Sequence, residues 1–571
     1  MNWRTYSLAP VWTFLGSALF SLSWLLPNNA RPWPSFHTDA LAAVVLLCVA
    51  AVVWPKSSSK ITWHALPAVV MLLSLTPLLQ HLAGWLPFAS LAWMVTFYLL
   101  GFFLCLMLGS HWTHWRPLNI GDFVFGAIFI GGLLSVIIQL LQWLDLTIDG
   151  PLDIWTLQYN RTGRPYGNMG QPNQLATLLL WSLLSCAWWA RRRVLGPVAA
   201  LAAAGFFAIG LALTQSRSGM LGAFFIVLMA WTMRSRLSLP KKIPLACTLV
   251  FLTYILLLVC LPMLGQSLLL DTQLSVQARS TGELRPLIWK VLLQGAQLHP
   301  FGGYGWNQVL PAQFAVSAAN PDIKGMFLAQ SHNLFLDFVV WLGFPAGILL
   351  AILLVAWFCT AFARLEKVED YVYLSAVAVI GIHAMLEFPL HYAYFLLPTG
   401  LMMGVLNARL SIWRMGSTSR LPVLLVNAIA AVACGCVLYD YFRIEKFYSD
   451  ERFRQANFKN APQPVIPDVL VLDDLQHLME LFALTPVRQM SPADIDKFER
   501  VTRVAPSPFN VGKLVIILSI NGRPADARQW LKDAENFFDK RVYESVYKEV
   551  AGAVTFYPEI SGVLKADGRS P

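Results

Sequence analysis

Charge is scarce in this chain. Only 13% of its 571 residues are Asp, Glu, Lys or Arg, against 57% hydrophobic, which is far from the balance of a soluble domain and points to many membrane spans. Cysteine is also thin: all eight (Cys48, Cys105, Cys186, Cys247, Cys260, Cys359, Cys434, Cys436) fall inside apolar runs. None lies in a long loop or the tail, so no disulfide framework is implied, and no Cys/His cluster has metal-ligand spacing. No metal and no cofactor are therefore expected. A basic patch with interleaved aromatics is missing too, so nucleic acid is not an expected partner.

What the sequence does have is a succession of apolar runs, each near the roughly 20 residues that a span needs. Thirteen are legible, at approximately 7 to 26, 37 to 54, 61 to 80, 86 to 109, 118 to 143, 171 to 190, 194 to 214, 218 to 233, 243 to 264, 338 to 362, 371 to 386, 389 to 407 and 421 to 439. The first follows Arg4 and has the look of a signal peptide, but the spans behind it argue for an uncleaved first helix.

Of the 42 basic and 32 acidic residues, 18 and 19 lie beyond residue 439, which leaves the membrane part 24 against 13. With the N-terminus inside, sixteen of those 24 basic residues fall in inner loops and eight in outer ones. Cytoplasmic loops are the ones rich in Lys and Arg, so this orientation is preferred, and an odd number of spans puts the tail outside. The expected fold is an all-α polytopic membrane protein with about 13 transmembrane helices. Its transmembrane domain covers 1–439, with long outer loops at 144–170 and 265–330. A helical domain at 440–571 lies outside.

The outer basic residues are Arg31, Arg161, Arg164, Arg217, Arg279, Arg285, Lys290 and Lys324. Basic groups on the side that topology disfavours need a reason, and an anionic ligand supplies one. Three polar motifs share that side: GQPNQ (Gly170 to Gln174), TQSRSG (Thr214 to Gly219) and SHNLFLD (Ser331 to Asp337). Each precedes or opens a helix running from outside to inside, so unpaired N–H groups and the positive dipole end face outward, where they favour phosphate. Arg217 adds a charge capable of bidentate contact. Pro172 suits a first helical turn and leaves Gln171 or Asn173 free to point outward.

His332 is the candidate general base, because imidazole titrates near neutral pH and this position lies about a turn above the lipid surface. A lone histidine in such a place is ordinarily a cap or an interfacial anchor; the neighbouring motifs favour the catalytic reading. His383, His391 and His299 are weaker candidates. RPLIWK (Arg285 to Lys290) opens an amphipathic helix, and HPFGGYGWNQ (His299 to Gln308) follows, its glycines suited to a tight turn near ligand. In LEFPLHYAYFLLP (Leu386 to Pro398), Glu387 is the one acidic residue. It can orient a partner or simply be hydrated.

Taken in order, GNMGQPNQLA, LTQSRSG, RPLIWK with GYGWNQ, SHNLFLD and LEFPLHYAYFLLP resemble the successive motifs of the O-antigen ligase and polymerase superfamily. They are most similar to the PglL-type protein O-oligosaccharyltransferases, which glycosylate pilins and other exported proteins. The likeness covers most of residues 160 to 440. It implies a multi-pass protein of the bacterial inner membrane whose site and tail are periplasmic. Arg217 and Arg285 would take the diphosphate of an undecaprenyl-linked oligosaccharide, with Gln171, Asn173, Asn333 and Glu387 as further substrate-binding residues and His332 as the catalytic histidine. The partners implied are that donor, a pilin-like or other periplasmic acceptor protein, and membrane lipid.

The tail reads as helices at LVLDDLQHLMELFAL, SPADIDKFERV with Ser491 as cap, NVGKLVIILSI and GRPADARQWLKDAENFF, the last two resembling a tetratricopeptide hairpin. The expected reaction is metal-independent: His332 deprotonates a Ser or Thr hydroxyl, which attacks the donor's anomeric carbon and expels lipid diphosphate. The rivals are an O-antigen ligase acting on lipid A core and a lipid-linked glycan polymerase. A transporter is disfavoured, since no Asp, Glu, Lys or Arg sits near the middle of a span and no inverted repeat is visible. A scaffold whose tail does the work would leave Arg217 and His332 dispensable.

Overall fold

Lipid offers no water to an unpaired backbone group, so an apolar run of this kind satisfies itself as a helix. The computed structural model describes residues 9–56, 60–112, 119–147, 151–159, 163–270 and 284–565. Arg4, His114, Arg116, Arg161 and Arg279 lie outside them, as do parts of both long outer loops. Seven helices among the described residues are long and apolar enough to cross a membrane: Phe36–Val53, Ala65–Leu82, Ala89–Trp112, Ile120–Trp143, Lys242–Ser267, Leu334–Ala363 and Leu421–Gln455. Shorter apolar helices, among them Pro197–Leu213 and Arg217–Thr232, stand with them.

The chain divides into two compact units of interleaved segments. One comprises Met1–Ser74, Phe97–Glu283 and Leu353–Gly435; the other comprises Leu75–Thr96, Leu284–Ile352 and Cys436–Pro571.

In the first unit, helix–helix contacts run through small residues, as lipid-embedded packing favours. A Cβ at Gly109 would run into the Leu401 carbonyl and one at Gly404 into that of Leu106, so the helices Ala89–Trp112 and Ala393–Arg409 touch backbone to backbone. Ser110 Oγ closes that contact by donating to the Gly404 carbonyl at 2.8 Å. Ion pairs stand at the helix ends: Arg192 with Asp122 through two bonds of 3.0 and 2.7 Å, and Arg409 with buried Asp370.

Among the described residues the all-α expectation has one departure. Lys60–His64 pairs antiparallel with Arg414–Ser419, with an irregularity between Trp63 and His64. The alternating Ile61, Thr62, Trp63 run suits a strand, and Trp63 Nε1 donates to Thr418 Oγ1 at 2.7 Å. The run expected to span from 61 therefore begins its helix only at Ala65.

In the second unit the span expected at 338 to 362 is broken. Gly343 takes φ 77° and ψ 171° inside Leu334–Ala363, just before Pro345, the two residue types that account for most sharp kinks. The loop from Pro300 to Gly305 packs into the break. Tyr304 N–H donates to the Val340 carbonyl at 2.8 Å, Gly305 N–H to Trp341 at 3.2 Å, and Phe344 N–H to Pro300 at 2.7 Å. Gln80 supports the same place: its Nε2 donates to the Trp341 carbonyl at 2.9 Å while its Oε1 accepts from Trp306 N–H at 3.0 Å. Of the glycines of GGYG, Gly303 thus serves a backbone-to-backbone contact in this fold.

The tail helices Asp473–Ala483, Pro492–Val504, Pro508–Ile520, Pro524–Phe537 and Lys540–Gly552 pack around Leu514, Ile517, Leu518, Leu531, Phe537 and Val546, all buried. Ser491, Ser507 and Asp539 cap three of them. Asp440 is fully buried and accepts N–H bonds from Leu470, Val471 and Leu472.

Gly303 tests the docked loop. It has φ 69°, and a Cβ there would lie 2.5 Å from the Val340 carbonyl oxygen. Gly303→Ala should lower the melting temperature of the detergent-purified protein, at a cost above ~1 kcal/mol. Gly381→Ala is the control, since it meets nothing within 4 Å and should hold or raise that temperature. Equal melting temperatures would contradict the docked loop.

Candidate active site

The three polar motifs fold by one local rule. In each, a residue in the left-handed region is followed by a helix cap: Gly170 (φ 70°) before Gln171, Gln215 (φ 47°) before Ser216, and His332 (φ 58°) before Asn333. Ser216 Oγ accepts from Gly219 N–H at 3.0 Å, and Asn333 Oδ1 accepts from Phe335 and Leu336 N–H at 3.1 and 3.2 Å. A non-glycine residue at positive φ carries a strain of about 1–3 kcal/mol that tends to gather at functional sites. Gln215 and His332 carry it here. The caps meet only part of the donors at each helix start, and the dipole leaves a positive end there.

In the first unit the GQPNQ and TQSRSG motifs are knitted through Asn173. Its Nδ2 donates to Glu387 Oε1 at 3.2 Å, and its Oδ1 accepts from Ser216 Oγ at 2.8 Å. Arg164 Nη1 reaches the same Oδ1 at 3.5 Å and the carbonyls of Thr214 and Gln215 at 3.2 and 3.4 Å. Arg217 is the first residue of its helix and exposed. Glu387 is buried at 7% exposure, so it is a bound partner of Asn173 and no hydrated surface group. Gln171 lines a cavity of about 110 Å³ together with Asn29, Ser35, Thr38, Gln174 and Tyr392.

The loop that carries GQPNQ is held from below. Gln142 accepts from Tyr166 and Gly167 N–H at 3.1 and 2.7 Å and donates to the Gly167 carbonyl at 2.8 Å. Asn168 bonds Leu157, Leu25 and Trp155. Burial pushes the Tyr159 and Tyr166 phenols up; their hydroxyls stay protonated and donate to the Gly163 and Gln158 carbonyls.

In the second unit the RPLIWK helix, Arg285–Leu298, is tied to SHNLFLD by Trp289 Nε1, which donates to the Ser331 carbonyl at 3.0 Å. Ser331 N–H in turn donates to Asp337 Oδ1 at 2.9 Å. Arg285 opens its helix and is half-buried, and His332 is half-buried beside Asn333. The lesser histidines have other surroundings. His383 is 2% exposed, with Nδ1 at 2.7 Å from Thr177 Oγ1, and His299 lies edge-on to the Tyr304 ring, centroids 4.4 Å apart. Among the described residues no group of three His, Cys, Asp or Glu is placed to hold a metal ion.

Sequence reasoning passed over Arg164 and Asp337 as site residues. Arg164 is one of the outer cations for which an anionic ligand supplies a reason, and Asp337 closes the same motif that contains His332; neither contact is visible from spacing.

Three family models match successive parts of the chain. Residues 165–190 match a protein glycosylation ligase, 202–351 an O-antigen ligase, and 371–549 the C-terminal part of a virulence factor membrane-bound polymerase. All seven site residues fall within these segments. Over residues 202–351 the chain is similar to the O-antigen ligase superfamily. A general O-oligosaccharyltransferase of Acinetobacter baylyi is 28% identical over 537 residues, 90% of each chain. A ComP-specific O-oligosaccharyltransferase of the same organism is 25% identical over 412 residues, 71% of this chain and 72% of its own. Within that likeness, the matches support a PglL-type protein O-oligosaccharyltransferase, a glycosyltransferase enzyme.

The Asn173 junction carries a test. Asn173→Asp removes the amide donor to Glu387 and sets a second carboxylate beside it, so glycosyl transfer by membranes of matched protein content should fall at least roughly ten-fold, equivalent to ~1.4 kcal/mol. Undiminished transfer would mean the junction has no part in the reaction.

Proposed function

We propose that this enzyme transfers an oligosaccharide en bloc from an undecaprenyl-diphosphate donor to a Ser or Thr hydroxyl of an exported protein such as a pilin, on the periplasmic face of the bacterial inner membrane. The observation that carries the reading is the repeated geometry of three helix starts, each introduced by a left-handed residue and two of them accompanied by the strained Gln215 or His332. Arg217 and Arg285, each the first residue of its helix, bind the donor's diphosphate together with those positive helix ends. Gln171, Asn173 and Asn333 contact the substrate, and Glu387 sets the orientation of Asn173.

His332 takes the proton of the acceptor hydroxyl. The oxygen bonds to the anomeric carbon of the first sugar, the bond from that carbon to the phosphate oxygen breaks, and undecaprenyl diphosphate leaves with the electron pair. Charge therefore grows on a group that is already anionic, and fixed cations and N–H dipoles stabilise it without a metal. The acceptor is read as protein because the two relatives above are named for that activity.

Thirteen spans, with the N-terminus inside, put the helical residues 440–571 in the periplasm. The hairpin of Pro508–Ile520 and Pro524–Phe537, of tetratricopeptide kind, is suited to holding the acceptor. A reporter active only in the cytoplasm, fused after residue 571, should be silent; strong activity would sink this topology.

His332→Ala should insert normally and still bind donor, while transfer drops by roughly 10²- to 10⁴-fold, the loss of a positioned base. Wild-type rates would refute the mechanism, and lost donor binding would recast His332 as a diphosphate ligand. Arg217→Lys keeps the charge but loses the planar fork that grips two oxygens. Transfer should fall steeply at constant protein level; near-normal transfer would relegate Arg217 to topology or packing.

A further inference from the structure

The site residues use one end of the Pro172–Arg191 helix, and the other end borders a second and larger cavity. This space, about 680 Å³, is walled by the helices Pro172–Arg191, Pro197–Leu213, Arg217–Thr232, Lys242–Ser267 and Val368–Ala384, all in the first unit. Its lining is apolar, with Leu184, Ala204, Ile226, Val250 and Phe251 typical of it. Helical membrane proteins pack densely, and an apolar space of this size forfeits dispersion contacts on every wall unless something apolar fills it.

Three cations also line it: Arg191, Arg193 and Lys242, all exposed. Arg191 is neutralised in part by Glu369, 3.1 Å away. Arg193 and Lys242 form no ion pair among the described residues, and Lys242 begins its helix, where the dipole adds to its charge. The mouth is therefore cationic over an apolar interior. The helix that joins the two cavities' ends has 20 residues, about 30 Å at 1.5 Å per residue, the thickness of a hydrocarbon core. Ser216, one residue before Arg217, bonds Asn173 at the opening end of that helix. An anion held at Arg193 and Lys242 is consequently in the leaflet opposite to any diphosphate held at Arg217, and it belongs to a different molecule.

We propose that this cavity is a binding site for an anionic phospholipid, with an acyl chain in the apolar space and the phosphate at Arg193 and Lys242. Cationic pockets between spanning helices recognise lipid headgroups by this pairing of charge and chain. The site needs only that the chain lies in a bilayer; it does not depend on the transfer reaction proposed above.

The test uses the delipidated full-length protein in detergent, incubated with phosphatidylglycerol or phosphatidylcholine at equal concentration and weighed intact under native conditions. One phosphatidylglycerol adduct should be retained on the order of ten-fold more than phosphatidylcholine, since each nearby cation strengthens the hold on an anionic lipid about five-fold. The double variant Arg193→Gln, Lys242→Gln, both exposed positions, should reduce that retention to the phosphatidylcholine level. Ala246→Trp, which fills the cavity, should abolish the adduct while the melting temperature shows the protein folded. Equal retention of the two lipids by the wild type, or unchanged retention in the charge variant, would overturn the proposal. So would preferential retention of undecaprenyl phosphate over phosphatidylglycerol, which would assign the cavity to the donor's own chain.

Discussion

A backbone N–H or carbonyl in lipid has to find its partner inside the protein, and this constraint governs where the chain is allowed to be irregular. It is irregular at Gly343, in the middle of a run that would otherwise be one helix. The freed groups are met by the Pro300–Gly305 loop, whose own N–H and carbonyl groups are met in the same contact. Glycine at 303 and at 343 allows the two backbones to approach that closely. A side chain at either place would push them apart, and both segments would then carry unpaired groups. The His332 helix start lies a few residues before that break, so its position depends on the loop being seated.

The same economy shapes the site. Each polar motif opens a helix, with Ser216 settling one donor and Asn333 two, and leaves other donors, with the positive dipole end, facing out. Asn173 then fixes the relation between two of the motifs within the first unit by bonding Ser216 and Glu387 at once. Trp289 does the corresponding work in the second unit, joining the Arg285 helix to Ser331. A membrane glycosyltransferase that stabilises a leaving diphosphate needs such pre-set donors more than it needs strong acids or bases, because the charge it must hold is already formed.

Much of this was legible in the sequence because apolar runs and cap residues are local signals. Every stretch read as a span contains a helix, and Ser216, Asn333 and Ser491 sit where their residue types prefer to cap. The non-local features were not legible. The strand pairing of Lys60–His64 with Arg414–Ser419 joins residues some 350 positions apart, and nothing in either segment alone announces the other. Gly343 and Pro345 lie within a hydrophobic run, and membrane helices tolerate glycine and proline, so nothing local announces the break. The glycines of GGYG suit a tight turn, and the close approach of Gly303 to the Val340 and Trp341 backbone is a contact that their spacing does not announce. Arg164 joins the site through three acceptors drawn from two motifs, Asn173 in one and Thr214 and Gln215 in the other.

The central claim is that the glycan moves whole, from lipid diphosphate to a protein hydroxyl. The most direct measurement places the purified full-length enzyme in liposomes with undecaprenyl-diphosphate-linked oligosaccharide and an exported acceptor protein, and follows the intact mass of the acceptor beside the released lipid. The account predicts a single mass step equal to the complete oligosaccharide on a Ser or Thr, with one undecaprenyl diphosphate released for each glycan transferred. Growth of the lipid-linked glycan itself, with the acceptor protein unmodified, would contradict it.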